Sequence, residues 1–192
     1  GRLYRFSGFD LGTASQVGQS LDLAYDRVLA SYDGSLVLLY ASGGKPVLRS
    51  TDSGQTFKKG DSHTFFSYGC MSRDGRYVYM GGEDLWMSSD YGQTFVKLRK
   101  VGAYYADGTV STMKLACSDN GDILTVTYCS TSPIDEENYY FDYTALVFGN
   151  NGDTLLQTLT RRLSLPLTSE FGNYRWGSAV SESGRHIICF LA

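Results

Sequence analysis

The sequence is poor in several features that mark whole classes of protein. Its 192 residues include only three prolines and two histidines, and the formal net charge is -3. No long run of basic residues offsets this charge, so a surface for nucleic acid is not expected. No apolar stretch approaches the length of a membrane span or the pattern of an amphipathic membrane helix, so membrane insertion is not expected either.

Glycine and aromatic residues stand out in what the sequence does contain. There are 22 Gly, 15 Tyr and 10 Phe, a composition typical of short strands joined by tight turns. Apolar residues alternate with polar ones, and no long stretch repeats with the helical period of 3.6, so helix should be nearly absent. The length suits one domain, residues 1–192, with a proper core. We predict an all-β fold.

Two nearly identical octets, residues 50–57 and 88–95, lie 38 residues apart and indicate an internal repeat. An Asp followed two residues later by Gly predicts a turn, because the carboxylate accepts backbone hydrogen bonds while Gly takes a positive φ. The Ser and Thr hydroxyls can bind the same turn, and the final Phe starts the next strand. The residues with these roles are Ser50, Asp52, Gly54, Thr56 and Phe57, and Ser88, Asp90, Gly92, Thr94 and Phe95.

A smaller turn alternates with the octets and precedes an apolar run each time it occurs. Its four copies are residues 31–34, 72–75, 118–121 and 181–184, and each predicts a hairpin. After the third copy, residues 148–155 keep part of the octet pattern in Asn150, Gly152 and Thr154. These segments outline successive four-stranded units.

The pattern Ser-x-Asp-x-Gly-x-Thr-aromatic resembles the Asp-box, or bacterial neuraminidase repeat. The resemblance implies a β-propeller in which each box joins the third and fourth strands of a blade. The superfamily includes sialidases, other glycan hydrolases, sorting receptors and lectins, and the repeat does not choose among them.

The spacing favours a four-bladed propeller in which the two ends of the chain share a blade. The offset from Gly34 to Ser50 is 16 residues, and joining the ends gives the same offset from Gly184 to Gly8. The predicted blades are 20–60, 61–101, 108–160, and 173–192 with 1–17. The alternative is a fragment of a six- or seven-bladed ring. A shared blade would remove exposed sheet edges.

The longer connections lie opposite the octets and predict a binding face, since loops on a rigid scaffold commonly carry binding residues. Aromatic rings there can stack on sugars or anchor a protein, and acids can accept hydroxyl hydrogen bonds or hold Ca²⁺. The alternative is that the aromatic residues pack the insertion at 130–142 and the acids solvate it. The predicted ligand-binding residues are Tyr104, Tyr105, Asp107, Glu136, Tyr139, Tyr140 and Phe141.

The innermost strands predict a second feature near the axis. Arg27 and Lys114 stand seven residues before their small-turn glycines and would face one another across a four-bladed ring. Two unpaired buried cations are costly. Either the side chains at this position point outward, or an acid, a water or an anion lies between the two cations. Asp26 belongs to the opposite face of its strand and is not assumed to be the partner.

No complete catalytic set is visible. By the resemblance, a sialidase would need three arginines from different blades, a Tyr paired with Glu, an acid/base Asp, an Arg-Ile-Pro type segment and six blades. The chain has no Arg-x-Pro and too few residues for six blades. Another glycosidase would need two carboxylates flanking a cleft, and none of the loop acids is singled out. With two histidines, a nucleophilic triad has little support.

The four cysteines show no metal-binding Cys-x-x-Cys spacing and are expected to be buried free thiols. Cys70 and Cys117 fall on neighbouring inner strands one residue out of register, which predicts that their side chains point to opposite faces. The chain begins at Gly1, which suits a processed protein, a trimmed chain or part of something longer.

These observations predict a non-catalytic binding module that recognises a glycan or a protein and needs no cofactor, apart from the option of Ca²⁺ at the acidic loop. The superfamily favours an extracellular location or the surface of a cell or particle. The alternatives are an assembly or adhesion unit of a larger surface or viral particle, which could form homo-oligomers, and a fragment of a sialidase-like glycosidase.

Overall fold

The protein was analysed as a computed structural model that describes residues 3–5, 15–18, 25–41, 45–60, 66, 68–82, 84–101, 113–133, 138–166 and 176–191. These residues form sixteen strands and no helix, so none of them belongs to a helix that could cross a membrane. The strands are β1 Leu3–Arg5, β2 Ser15–Val17, β3 Arg27–Ala30, β4 Val37–Tyr40, β5 Leu48–Ser50, β6 Lys58–Lys59, β7 Tyr68–Met71, β8 Val78–Gly81, β9 Asp84–Ser88, β10 Val96–Lys100, β11 Lys114–Cys117, β12 Leu124–Pro133, β13 Asn138–Gly149, β14 Thr154–Pro166, β15 Trp176–Val180 and β16 Ile187–Leu191.

The strands form three complete sheets and two strand pairs, all antiparallel, which confirms the all-β class. Sheet 1 contains β3 to β6, sheet 2 contains β7 to β10 and sheet 3 contains β11 to β14, each in chain order. The N-terminal pair is β1 with β2, and the C-terminal pair is β15 with β16. The first strands of successive sheets lie side by side, so the sheets pack face to face in chain order.

The core lies between the sheets because their second strands are buried on both faces. Within β8, Val78 and Met80 join the cluster shared with sheet 1, while Tyr79 joins the cluster shared with sheet 3. Phe95, the last residue of the second octet, is buried with its ring 5.3 Å from that of Phe66. A strand buried on both faces reads as a continuous apolar run, as Val78 to Met80 does.

The four small turns share one geometry. The Ser31 hydroxyl donates to the Asp33 carboxylate at 2.6 Å and accepts from the Leu36 N–H at 3.0 Å, and Ser72 and Ser118 repeat both bonds. The registers agree as well, because the residue seven before each turn glycine pairs with the residue six after it. These pairs are Arg27 with Tyr40, Tyr68 with Gly81, Lys114 with Thr127 and Gly177 with Phe190.

Backbone hydrogen bonds also join each small turn to the next sheet. The N–H of Tyr32 donates to the carbonyl of Arg73 at 2.9 Å, Arg73 to Asp119 at 2.7 Å, and Asp119 to Glu182 at 3.0 Å. The second residue of each turn therefore belongs to one continuous line across the sheets. This line fixes the order and orientation of neighbouring sheets.

The octets lie at the same end of the sheets as the small turns, which we call the turn face. Asp52 accepts hydrogen bonds from the Ser50 hydroxyl at 2.6 Å and the Thr56 hydroxyl at 2.6 Å, and Asp90 accepts the same bonds in the second octet. Gly54 and Gly92 have φ of 84° and 75°. The N–H of Asn151, in the third copy, donates to the Asp122 carbonyl as Ser53 does to Ser35.

Acid should destabilise the protein through these carboxylates. Hydrogen bonds from Ser50 and then Thr56 lower the pKa of Asp52 from 3.8 to about 2. A pKa lowered in the folded state contributes stability above the unfolded value, and this contribution is lost as pH falls through the folded value. We expect the difference in unfolding free energy between the wild type and Asp52→Asn to shrink as pH falls from about 4 to about 2.

Urea denaturation across that pH range measures the effect. Asp153→Asn is the control, because this exposed residue of the third copy does not cap its turn as Asp52 does. A wild-type advantage over Asp52→Asn that stays constant between pH 4 and pH 2 would contradict the assignment.

The two ends of the chain do not share a sheet among the described residues. β1 pairs with β2 and β15 with β16, and no described strand joins the two pairs. The N-terminal pair lies against sheet 1, where Val17 lines a crevice with Val28, whereas the C-terminal pair lies against sheet 3, where the Ser178 and Thr125 hydroxyls are 2.7 Å apart. A blade shared by the two ends would also meet both of these sheets, so the shared blade and the blade count stay predictions.

All four cysteines are free thiols. The prediction that Cys70 and Cys117 point to opposite faces holds, but it does not separate the two thiols. They do lie on opposite faces of their own sheets, and those faces meet between sheets 2 and 3. Burial and then the neighbouring Cys117 thiol raise the pKa of Cys70. The register describes each strand correctly but does not say which faces are in contact.

Candidate functional site

The candidate site lies at the end of the sheets opposite the turn face, which we call the loop face. Strands β3, β7 and β11 begin there at equivalent positions with Arg27, Tyr68 and Lys114. The Arg27 guanidinium carbon lies 5.2 Å from the centre of the Tyr68 ring, and the Lys114 ammonium lies 4.8 Å from the same centre. Three successive sheets therefore bring two cations to one aromatic ring.

This arrangement answers the question that the sequence left open for Arg27 and Lys114. The group between the two cations is the half-buried Tyr68 ring, and both cations are exposed to solvent. The negative face of an aromatic ring stabilises a nearby cation. Asp26, which was not assumed to be a partner from the sequence, forms an ion pair with Arg27 at 3.8 Å. Both side chains of this pair are exposed to solvent, and there they can meet although they start from opposite faces of the strand.

Another pair of a cation and an aromatic ring, Lys45 and Tyr25, lies beside the same strands. The Lys45 ammonium is 5.8 Å from the centre of the Tyr25 ring, and the Tyr25 hydroxyl donates to the Pro46 carbonyl at 3.1 Å. Burial raises the pKa of Tyr40, the partner of Arg27 across the sheet, to about 12, although the Arg27 charge opposes this. Tyr40 therefore stays neutral, and the described residues at the inner end of the loop face include three cations and one nearby carboxylate.

The aromatic segment predicted to bind a ligand is only partly described. Tyr104, Tyr105, Asp107 and Glu136 lie outside the described residues. Tyr139 is described by its backbone, which pairs with Pro133 and Leu165. Phe141 is only 3% exposed, so its ring packs the sheet and does not face a ligand in this structure.

Tyr140 belongs to a cluster that the sequence did not predict. Arg162 forms two hydrogen bonds of 2.7 Å with the carboxylate of Asp142, and its guanidinium carbon lies 4.8 Å from the centre of the Tyr140 ring. The hydrogen bonds and charge of Arg162 lower the pKa of Asp142. The signal for this pair is the cross-strand register of Asp142 with Arg162, which becomes readable only once β13 and β14 are aligned.

An open cleft of about 490 Å³ also lies on the turn face. Its polar groups bind one another: the Arg73 guanidinium stacks 3.8 Å from the Tyr32 ring and pairs with Asp119 at 3.0 Å. Asp33 and Asp74 are held by the hydroxyls of their own turns. These contacts stabilise the scaffold, and we assign the cleft no ligand.

No group of three or more His, Cys, Asp or Glu side chains that could hold a metal ion occurs in the described part of the chain. The acidic residues 135–137, for which Ca²⁺ binding was predicted, lie outside it. The Ca²⁺ site stays a prediction.

Comparison with known proteins gives similarity at the level of fold. No family profile and no curated protein matches the chain. A solved structure of an auxiliary nutrient binding protein from Bacteroides thetaiotaomicron matches with a TM-score of 0.50 and 8% identity, over 94% of this chain and 42% of that one. A GH74 enzyme from Niastella koreensis gives a TM-score of 0.43 and 10% identity, over 69% of this chain and 29% of that one.

The chain thus spans less than half the length of either solved structure. The TM-score of the GH74 enzyme is too low to carry an argument. The sequence identity to the nutrient binding protein is so low that the match shows only that the two folds are alike.

Proposed function

We propose that this chain is a non-catalytic binding module whose loop face holds an acidic glycan, such as one that carries carboxylate or sulfate groups. The observation that carries the proposal is the convergence of Arg27 and Lys114 on Tyr68. Among the described residues, these exposed cations and Lys45 have one carboxylate near them, Asp26, in a chain whose net charge is -3. Such a local excess of positive charge attracts an anion and steers it to the site.

The chemistry of the neighbouring groups supports this ligand class. Arginine and lysine form charge-assisted hydrogen bonds with anionic oxygens, while the rings of Tyr25, Tyr68 and Tyr140 offer apolar surface against which a sugar can pack. A protein ligand with an acidic segment is the alternative, and it would use the same cations. The fold-level similarity to a nutrient binding protein is compatible with this role but does not carry it.

A catalytic role is less well supported by the described carboxylates of the loop face. A glycosidase acid needs a raised pKa so that it holds a proton near neutral pH. Arg162 lowers the pKa of Asp142 instead, and Lys97 binds Asp84 at 2.7 Å. These acids serve as partners of cations.

We place the chain, within the same proposal, in the Asp-box β-propellers and expect it at an extracellular or particle surface. The turn hydrogen bonds of Asp52 and Asp90 and the face-to-face order of the sheets support the propeller. The Asp-box resemblance supports the location.

Removing a cation should weaken glycan binding. We expect Arg27→Ala and Lys114→Ala each to lower the affinity for an acidic oligosaccharide about 10-fold or more, because a hydrogen bond to a charged group contributes roughly 1.5–3 kcal/mol. A glycan array identifies the ligand, and titration calorimetry at low and high salt then measures the affinity. High salt should weaken binding to the wild type.

Lys58→Ala is the matched control, since Lys58 is an exposed lysine on the outer strand of sheet 1. Tyr104→Ala and Tyr139→Ala test whether the aromatic segment adds to the site. Equal affinities in the wild type, Arg27→Ala and Lys114→Ala would contradict the proposal.

A further inference from the structure

One position that recurs in each repeated unit is buried in three of its copies and exposed in the fourth. Leu38, Tyr79, Thr125 and Ile188 each stand four residues after a small-turn glycine. The first three are 0% exposed, whereas Ile188 is 70% exposed. The difference comes from the next sheet in the array, because the first three residues face such a sheet and Ile188 has no such neighbour among the described residues.

The neighbours of the buried side chains define the missing surface. Leu38 contacts Gly92 in the octet of sheet 2, and Tyr79 contacts both Gly121 and Gly152 at the turn face of sheet 3. Thr125 meets Ser178 of the C-terminal pair. A side chain at this position therefore normally packs against turn-face residues or the first strand of the neighbouring sheet.

The corresponding receiving surface is open on sheet 1. Gly34, Val37 and Ser53 line a crevice of about 230 Å³, and they occupy the positions of Gly121, Leu124 and Asn151 in sheet 3. Val28, also in its wall, is 54% exposed. A Cβ placed on Gly34 would meet no atom within 4 Å, although the equivalent glycines all contact the preceding sheet.

The backbone shows the same complementarity. The line of turn bonds runs from Tyr32 through Arg73 and Asp119 to Glu182. In the described part of the chain the N–H of Glu182 has no acceptor and the carbonyl of Tyr32 has no donor. These two groups are the donor and the acceptor that one further bond of the line would need.

The two strand pairs complete the picture. The N-terminal pair lies beside the crevice on sheet 1, since Tyr4 and Val17 form part of its wall. The C-terminal pair holds the positions of the two inner strands. The edge of β16 to which no described strand is bonded has the place of the β4 edge that pairs with β5. Unpaired edges and exposed apolar faces of this kind favour strand addition.

We propose that a second copy of this chain covers both ends. The C-terminal pair of one copy places Ile188 in the crevice of the other, donates from Glu182 to the partner copy's Tyr32 carbonyl, and pairs its β16 edge with the partner copy's β1. Two copies related by a two-fold axis make this exchange reciprocally, so the array closes and no end remains exposed. A head-to-tail contact that closes gives a defined dimer, whereas one that does not close gives filaments.

The mass in solution tests the proposal. Multi-angle light scattering and sedimentation equilibrium of the full 192-residue chain should give twice 21.2 kDa. Ile188→Lys should give the single-chain mass, or at least a 10-fold weaker dimer, with an unchanged circular dichroism spectrum. Leu155→Lys is the matched control: Leu155 is also an exposed apolar residue, 46% exposed on the outer strand of sheet 3, and the variant should stay dimeric.

Mixing two variants identifies the faces in contact. Val28→Asp and Ile188→Lys should each be monomeric alone, and an equimolar mixture should recover mixed dimers. In a mixed dimer, one of the two contacts has both native residues, and the other brings the introduced Asp against the introduced Lys. A wild type of 21.2 kDa at all concentrations would overturn the proposal, including the case in which one chain closes on itself. A dimer that Ile188→Lys leaves intact, or a mixture that stays monomeric, would overturn it as well.

Discussion

Tyr79→Ala is expected to lower the free energy of unfolding by about 3–5 kcal/mol, the usual cost of removing a buried aromatic side chain. Tyr79 has no exposed surface, and its hydroxyl donates to the Gly121 carbonyl of the next sheet at 2.5 Å. Burial raises its pKa well above the ordinary value, so the hydroxyl remains a donor throughout the neutral range. The substitution removes both the ring between sheets 2 and 3 and the bond that joins them.

Equilibrium denaturation in urea measures this loss, and two variants separate its parts. Tyr79→Phe keeps the ring and should cost only about 1 kcal/mol, the net contribution of one hydrogen bond. Tyr32→Ala removes a tyrosine that is 76% exposed, so it should cost no more than its contact with Arg73, about 1 kcal/mol. If Tyr79→Ala cost no more than Tyr32→Ala, the packing between sheets 2 and 3 would not be as described.

Gly121→Ala should be more harmful than Gly34→Ala, although both glycines occupy the same place in a small turn. Their φ angles are 76° and 71°, so both variants pay the same cost for a left-handed alanine. A Cβ at Gly121 would lie 2.7 Å from the Cβ of Tyr77 in sheet 2, whereas a Cβ at Gly34 would meet nothing within 4 Å. Overpacking typically adds about 1–3 kcal/mol, and only Gly121→Ala should show this loss.

The comparison is made in the monomeric Ile188→Lys background, so that a second copy cannot fill the space at Gly34. Urea midpoints of both variants are measured at the same pH and protein concentration. Equal losses in the two variants would show that the turns need glycine only for its φ angle and that the contact with the preceding sheet has no energetic weight.

The sequence was a good guide wherever a local rule decides the structure. The position of Gly34 in its turn followed from the preference of Gly for positive φ. The placing of successive β8 side chains on opposite faces of the sheet followed from the two-residue period of a strand. The octet pattern likewise placed Asp52 beside the hydroxyls that it binds. Each of these depends on residues a few positions apart.

Contacts between sheets were less predictable, because a strand pattern assigns a side chain to a face but not to a neighbour. Cys70 and Cys117 were placed on opposite faces, correctly, and yet those faces meet. The spacing puts Tyr68 at the position equivalent to Arg27 and Lys114, but it does not show that the Tyr68 ring lies beside both cations. Arg162 was missed for the same reason, since its partner Asp142 lies on another strand.

The line of hydrogen bonds through Tyr32, Arg73, Asp119 and Glu182 also makes the protein behave as a chain of coupled units. Each sheet is bonded only to the sheets on either side of it, so its stability depends on itself and on its immediate neighbours, as in repeat proteins. Sheet 2 has a neighbour on both faces, and loosening it breaks two interfaces at once. In a single copy the ends of the array can open with the loss of one interface, which makes them the natural starting points for unfolding once the two copies separate.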